Sequence, residues 1–107
     1  MRKTQPEMKV RELTPALSEL DEAPTYYGNI SPFFSQALLD EVTAAKRLII
    51  ELPLAWQRLS EDLRGFPLHR YPYTIVYQAS GNEILIVAYA HFKRRPGYWR
   101  NRLHDPR

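Results

Sequence analysis

The sequence predicts an α+β domain: an N-terminal strand and two helices, then a three-stranded antiparallel meander with the helices packed on one face of the sheet. Three observations predict it. Apolar residues recur at helical spacing between Phe34 and Leu52. Beyond residue 70 the period shortens to two, with Tyr73, Ile75 and Tyr77 alternating with Thr74 and Val76. Between two such runs, Ser80-Gly81-Asn82 supplies the turn chemistry of a tight hairpin. At 107 residues the chain can bury one core but not two. A single domain over residues 8–103 is expected, with flexible ends at 1–7 and 104–107.

Each element follows in order. Residues 8–13 alternate Met8, Val10 and Glu12 against Lys9, Arg11 and Leu13, so both faces mix polar and apolar groups, as suits an edge strand. Thr14 and Pro15 place a capping side chain before a proline at the first helical position, where its missing N–H costs nothing. Leu17, Leu20 and Tyr27 share one face of this helix, and Pro24 predicts a kink or break. Ser31 and Pro32 repeat the cap, and Phe34, Leu38, Val42, Ala45, Ile49 and Leu52 then mark a second helix ending before Pro53. A short strand around residues 66–70 is expected to supply another neighbour in the sheet, although Pro67 counts against a strand there. Residues 83–90 are apolar on both faces, which predicts a central strand covered on both sides. Phe34, Leu38, Val42 and Ile49 are expected to meet Ile75, Ile84 and Ile86 in the core.

Composition excludes several classes. Hydrophobic residues make up 44% and charged residues 25%, the balance of a folded soluble domain. No cysteine is present, which removes disulfide frameworks, thiolate nucleophiles and Cys-based zinc sites. No apolar run reaches the roughly 18 residues of a membrane span, and the first residues carry no apolar signal segment. A cytoplasmic protein with no membrane contact is expected. Charge is divided unevenly: residues 1–62 hold 7 Lys/Arg and 10 Asp/Glu, whereas residues 63–107 hold 8 and 2. The second half is therefore basic, which fits either a polyanionic or acidic partner or a plain solvated face.

The order of elements and the segment HRYPYTIVYQASGNEILIVAYAHFKRRPGYW over residues 69–99 resemble the RelE/ParE superfamily of type II toxin–antitoxin toxins, the plasmid stabilisation protein family. Further points of resemblance are the tyrosine pair Tyr26 and Tyr27, the step Arg70, Tyr71, Pro72, Tyr73, and the closing Ala90-His91 before a basic turn and Pro-Gly-Tyr-Trp. The resemblance spans residues 8–103. Pro24 departs from it, because similar chains continue the first helix to the tyrosine pair. It implies a cognate antitoxin as partner. Members similar to RelE cut messenger RNA in the ribosome without a metal, whereas members similar to ParE poison DNA gyrase and cut nothing. Fold alone does not choose between them. The arginines and histidines of the second half favour the ribosome-associated messenger RNA endoribonuclease. The non-enzymatic gyrase inhibitor is the alternative, and a decayed toxin that retains only antitoxin binding is a third reading.

Metal-free RNA cleavage needs a base, cations for the developing phosphorane charge, and an acid for the leaving oxygen. Catalytic candidates of these types are Arg94, His91, Arg70, Arg64 and Tyr98. Arg94 lies near where the resemblance places a catalytic arginine. Lys93, Arg95, Arg100, Arg102 and His69 are candidates for target or nucleic-acid contact. His69 stands where the same resemblance places an arginine, which leaves the cationic set incomplete. Antiparallel pairing predicts that Arg94, His91 and Arg70 converge on one sheet edge, with room for a phosphate. Each has a plainer role open to it. His91, read as continuing the Leu85, Val87, Tyr89 face, fits a half-buried hydrogen-bonded side chain as well as a proton carrier. Lys93, Arg94 and Arg95 fit a solvated turn. Tyr98 and Trp99 beside Arg100 and Arg102 fit RNA stacking or a clamp of the C-terminus onto the sheet. There is no Gly-rich phosphate loop, nucleophile elbow or His-x-x-x-His pair, and the three histidines form no evident ligand set. No cofactor or metal is expected.

Overall fold

The computed structural model describes residues 7–29 and 31–104, with residues 24–28 and 104 described by their backbone alone. The side chains of Tyr26, Tyr27 and His104, and residues 1–6 and 105–107 of the two ends, lie outside the described residues. Strand β1 (Lys9–Glu12) leads into helices α1 (Thr14–Gly28) and α2 (Pro32–Glu51), followed by β2 (Gln57–Arg58), β3 (Arg64–Pro67), β4 (Tyr73–Ser80) and β5 (Glu83–His91). A short 3-10 helix over Arg100–His104 is the last element among the described residues.

The expected α+β architecture with two helices holds, but the sheet is mixed and five-stranded, in the order β1-β5-β4-β3-β2. β1 lies parallel to β5, while β2 to β5 pair antiparallel. The sequence reading lacked β2 because two polar residues, Gln57 and Arg58, carry no period. The meander's first strand falls at Arg64–Pro67, ahead of the expected residues 66–70. The hairpin turn is Gly81-Asn82, with Gly81 at φ 59°, a conformation that disfavours any side chain.

Helix α2 starts where its sequence requires: the Ser31 hydroxyl accepts from the Phe33 N–H at 3.2 Å and Pro32 takes the first helical position. Its buried stripe is Leu38, Val42, Ala45 and Ile49, ending before Pro53. Phe34 does not join this stripe. It is 44% exposed, and its carbonyl takes the Tyr71 hydroxyl at 2.8 Å. Helix α1 also departs from expectation, running through Pro24 to Gly28 without a break. Only one helical hydrogen bond is lost at Pro24, and the helix as a whole packs on α2 and β5. Its buried face is built on Ala16 and Ala23, whereas Leu17 is turned outward. Small side chains let α1 approach the sheet closely.

Both faces of the sheet are covered. On the helix side, Ile75, Tyr77, Ile84, Ile86 and Tyr89 meet the helical stripes. On the other, Leu63, Val76, Val87, Ala88 and Trp99 form a second core. A β-bulge controls which residues go where: Val76 pairs with Ala88 and Tyr77 with Ile86, so Val87 is the extra residue on β5. The bulge reverses the alternation. Leu85 and Val87 pack on the second face, while Tyr89, and His91 paired with Tyr73, fall on the helix face. The expectation that Leu85, Val87, Tyr89 and His91 share one face is thereby corrected.

Candidate functional site

The site grows from an unfinished edge. β1 pairs with β5 only up to Glu12 and Ile86, with one further bond from the Leu13 N–H to the Ile86 carbonyl at 2.9 Å. The chain then turns into α1, leaving the next polar groups of β5 without a strand. Side chains complete the edge. The Glu19 carboxylate of α1 accepts from the Tyr89 N–H at 3.1 Å, and the Arg102 guanidinium donates to the Val87 carbonyl at 2.9 Å. Arg102 and Glu19 also grip each other through two bonds of 3.0 Å. Their side chains are 17% and 12% exposed, so the pair sits largely out of water.

Glu19 gathers more than Arg102. The Tyr98 hydroxyl donates to the same carboxylate, and the Arg94 guanidinium approaches it at 3.7 Å. Arg94 also lies over the Tyr98 ring, 3.9 Å from its centroid, with Arg102 at 5.1 Å. Burial, with the hydrogen bond and charge of Glu19 adding to it, raises the Tyr98 phenol well above the usual tyrosine range, against the smaller pull of Arg102 and Arg94. The one proton of the Tyr98 hydroxyl is engaged in its bond to Glu19. Trp99 is 8% exposed in the second core, so the C-terminal segment is clamped to the sheet.

Beside this clamp a cleft of about 220 Å³ opens on the second face of the sheet. Thr74, Val76, Ala90, Leu59 and Trp99 line it together with Phe92, Arg94, Arg95 and Tyr98, and His91 borders it at the strand end while its ring turns to Tyr73 on the helix face. Lys93 and Arg95 are exposed, Arg94 has a side chain 54% exposed, and Phe92 stands 75% exposed beside them. The His91 Nδ1 accepts from the Lys93 N–H at 3.0 Å, and its ring meets Tyr73 edge-on at 5.0 Å. That bond uses the lone pair of Nδ1 and leaves the proton of the neutral ring on Nε2. Arg100 is exposed and lies over Gly97, where a Cβ would come within 2.7 Å of its Nε.

The remaining sequence candidates sit elsewhere. Arg64 falls in register with Tyr77, donates to the Trp56 carbonyl at 2.9 Å, and lines a different cleft with Arg58, Asp62 and Gln78. His69 and Arg70 belong to the β3–β4 loop, whose backbone N–H groups both donate to Glu41 of α2. Their side chains face a groove of about 520 Å³ along the outer side of α2, with Phe33, Ala37 and Asp40. It adjoins a second hollow of about 430 Å³ walled by Leu48, Phe66 and Pro67. The structure thus brings Arg94, His91, Arg95 and Tyr98 to one cleft, puts Arg102 behind it, and sets Arg64, Arg70 and His69 in others. Sequence reasoning missed Glu19 and Phe92. An acid sharing the helical face of Ala16 and Ala23 was the available signal for Glu19, and an aromatic inside a cation run was the signal for Phe92.

No family model matches the chain, and no curated protein matches it in sequence. In structure it is similar to a chain of the chromosomal ParDE TA system from P. aeruginosa, with a TM-score of 0.68 and 20% identity over 78% of this chain and 95% of that one. The chain has the fold expected from its resemblance to RelE/ParE toxins. No helix among the described residues is long and apolar enough to cross a membrane. Among the same residues, no group of three or more His, Cys, Asp or Glu side chains is placed to hold a metal ion.

Proposed function

We propose that the chain is the toxin of a type II toxin–antitoxin pair, that its basic cleft seats a phosphodiester of the nucleic acid its target carries, and that it acts by binding rather than by cutting. The fold shared with a chain of a ParDE system supports the toxin class. Lys93, Arg94 and Arg95 on the cleft rim, beside exposed Phe92, support contact with a polyanion. The observation that carries the non-cutting reading is the state of the proton carriers. Tyr98 commits its proton to Glu19, and His91 commits its only lone pair to the Lys93 N–H. A base needs an open lone pair, and His91 acting as an acid from Nε2 would need a proton on Nδ1, facing the Lys93 N–H. Such an inhibitor resembles the members that poison DNA gyrase, working in the cytoplasm.

A cognate antitoxin completes this reading. An apolar, acidic segment fits both the apolar groove along α2 and the cation run at the end of β5. A second reading, metal-free cleavage of messenger RNA on the ribosome, is favoured by one observation: Arg94 and His91 line the same cleft. The deciding experiment is induction of the chain in a sensitive bacterial host, with translation, messenger RNA integrity and DNA supercoiling followed separately. Altered supercoiling with intact messenger RNA is expected. Early messenger cleavage would replace the first reading with the second, and unimpaired growth would point to a decayed toxin.

A further inference from the structure

We infer that Glu19 is an internal substitute for the ligand's phosphate, and that Arg94 leaves it when a nucleic-acid phosphodiester enters the cleft. This rests on the reading of the cleft as a phosphodiester seat, and not on whether a bond is then cut. The two arginines on Glu19 are held differently. Arg102 makes two bonds of 3.0 Å from a largely buried position and a third to the Val87 carbonyl. Arg94 makes one approach of 3.7 Å with its side chain 54% exposed. Glu19 is already satisfied without it, because Arg102, the Tyr98 hydroxyl and the Tyr89 N–H all donate to its two oxygens. Of the two arginines, Arg94 is therefore the one whose departure strands no buried charge.

The same geometry says where Arg94 goes. Its guanidinium rests on the Tyr98 ring at 3.9 Å, and Tyr98 is fixed by Glu19, so the ring is a platform on which the side chain can pivot without losing its stacking contact. Arg94, Arg95 and His91 line the same cleft as that ring. An entering phosphodiester offers the planar guanidinium two oxygens in place of one distant carboxylate oxygen. Glu19 acts through Arg94 and touches no ligand, which makes it a positioning residue. It keeps the cation ordered when the cleft is empty and lowers affinity by the free energy of the contact that must be broken.

The test measures binding of short oligouridylate and oligodeoxythymidylate at low salt to the wild type, Glu19→Gln, Arg94→Ala and the double variant, with folding checked by circular dichroism. Glu19→Gln should tighten binding about two- to five-fold, the range an exposed ion pair spans. That gain should vanish in the Arg94→Ala background. An equal gain in that background would mean that Glu19 acts by long-range charge, and the exchange would be overturned. It would be overturned equally if Arg94→Ala weakened binding while Glu19→Gln changed nothing, although the phosphodiester seat would stand. If neither oligonucleotide bound any of the four proteins, the seat itself would fall, and the exchange with it. Binding of one oligonucleotide alone identifies the nucleic acid without altering the inference. Should Glu19→Gln fail to fold, side-chain NMR of the wild type decides: the Nε–Hε signal of Arg94 should move on adding oligonucleotide while that of Arg102 stays, and a stationary Arg94 signal on saturation would refute the exchange.

Discussion

Replacing Arg102 by alanine should destabilise the fold far more than replacing any other arginine of the basic tail. Its guanidinium makes two bonds of 3.0 Å to Glu19 and one of 2.9 Å to the Val87 carbonyl. Arg102→Ala removes all three and leaves the Val87 carbonyl on an edge that no strand covers. A fully buried pair broken on one side costs about 3 to 5 kcal/mol, and an ordinary hydrogen bond about 1 kcal/mol. Glu19 keeps Tyr98, the Tyr89 N–H and Arg94 as partners, so the cost should fall between these, at about 2 to 4 kcal/mol. At roughly 5 °C per kcal/mol for a domain of this size, the melting midpoint should drop by about 10 to 20 °C. Urea unfolding followed by circular dichroism gives the free energy directly, and an unchanged m-value would confirm a native-state effect. Arg95→Ala, at an exposed position, should stay within about 0.5 kcal/mol. Arg102→Lys should be intermediate, because an ammonium cannot reproduce the forked contact. An Arg102→Ala protein as stable as Arg95→Ala would refute the edge-capping role.

Three further outcomes are expected. Ile86→Ala, which empties a fully buried site between α2 and the sheet, should cost about 2 to 5 kcal/mol in urea unfolding, and an unchanged midpoint would contradict that packing. Burial, reinforced by the Glu12 and Glu19 carboxylates, raises the Tyr89 and Tyr98 phenols above their usual 10.0. The unfolded chain ionises first, so their stabilisation is complete below that pH and is lost as pH climbs through the folded values; Tyr89→Phe and Tyr98→Phe should flatten the alkaline fall in stability. Reversing the charges of Lys93, Arg94 and Arg95 together should weaken antitoxin binding and reduce its salt dependence, measured by calorimetry with the acidic product of an adjacent short reading frame. Unchanged affinity would remove this end of the molecule from the antitoxin interface.

What was legible in the sequence is what repeats over many residues. Helix α2 announced its cap, its stripe and its stop within residues 31–53, and the Gly81 turn and the apolar run of β5 were equally local. Helix α1 was harder, because it packs through Ala16 and Ala23 with Leu20 beside them and carries Leu17 outward, so one of its two leucines pointed to the wrong face. The bulge at Val87 was invisible, since nothing in an unbroken apolar strand says where alternation slips by one. That slip set the orientation of His91. Among the site residues, the cations were evident as residue types, but their division into structural and available groups was not. It depends on Glu19, which stands 83 residues from Arg102 in the chain.

The short first strand and the basic tail are two sides of one arrangement. Because β1 stops at Glu12, the far half of the β5 edge needs partners, and a helix carboxylate with a tail arginine supplies both an acceptor and a donor. The tail is then drawn across the second face of the sheet, where Trp99 fills the core and the walls of the cleft are fixed. Eight of the chain's fifteen Lys and Arg lie in residues 63–107, with only two acids beside them. Such a segment would repel itself if every cation stayed uncompensated. A single carboxylate from the acidic half of the chain neutralises Arg102 fully and Arg94 in part, and leaves Lys93 and Arg95 at the rim. Folding therefore consumes only as much positive charge as holding the tail requires. Lys93, Arg94 and Arg95 are the exposed cations that the clamp leaves beside the cleft, so the edge that completes the fold also sets the charge of the surface that meets a partner.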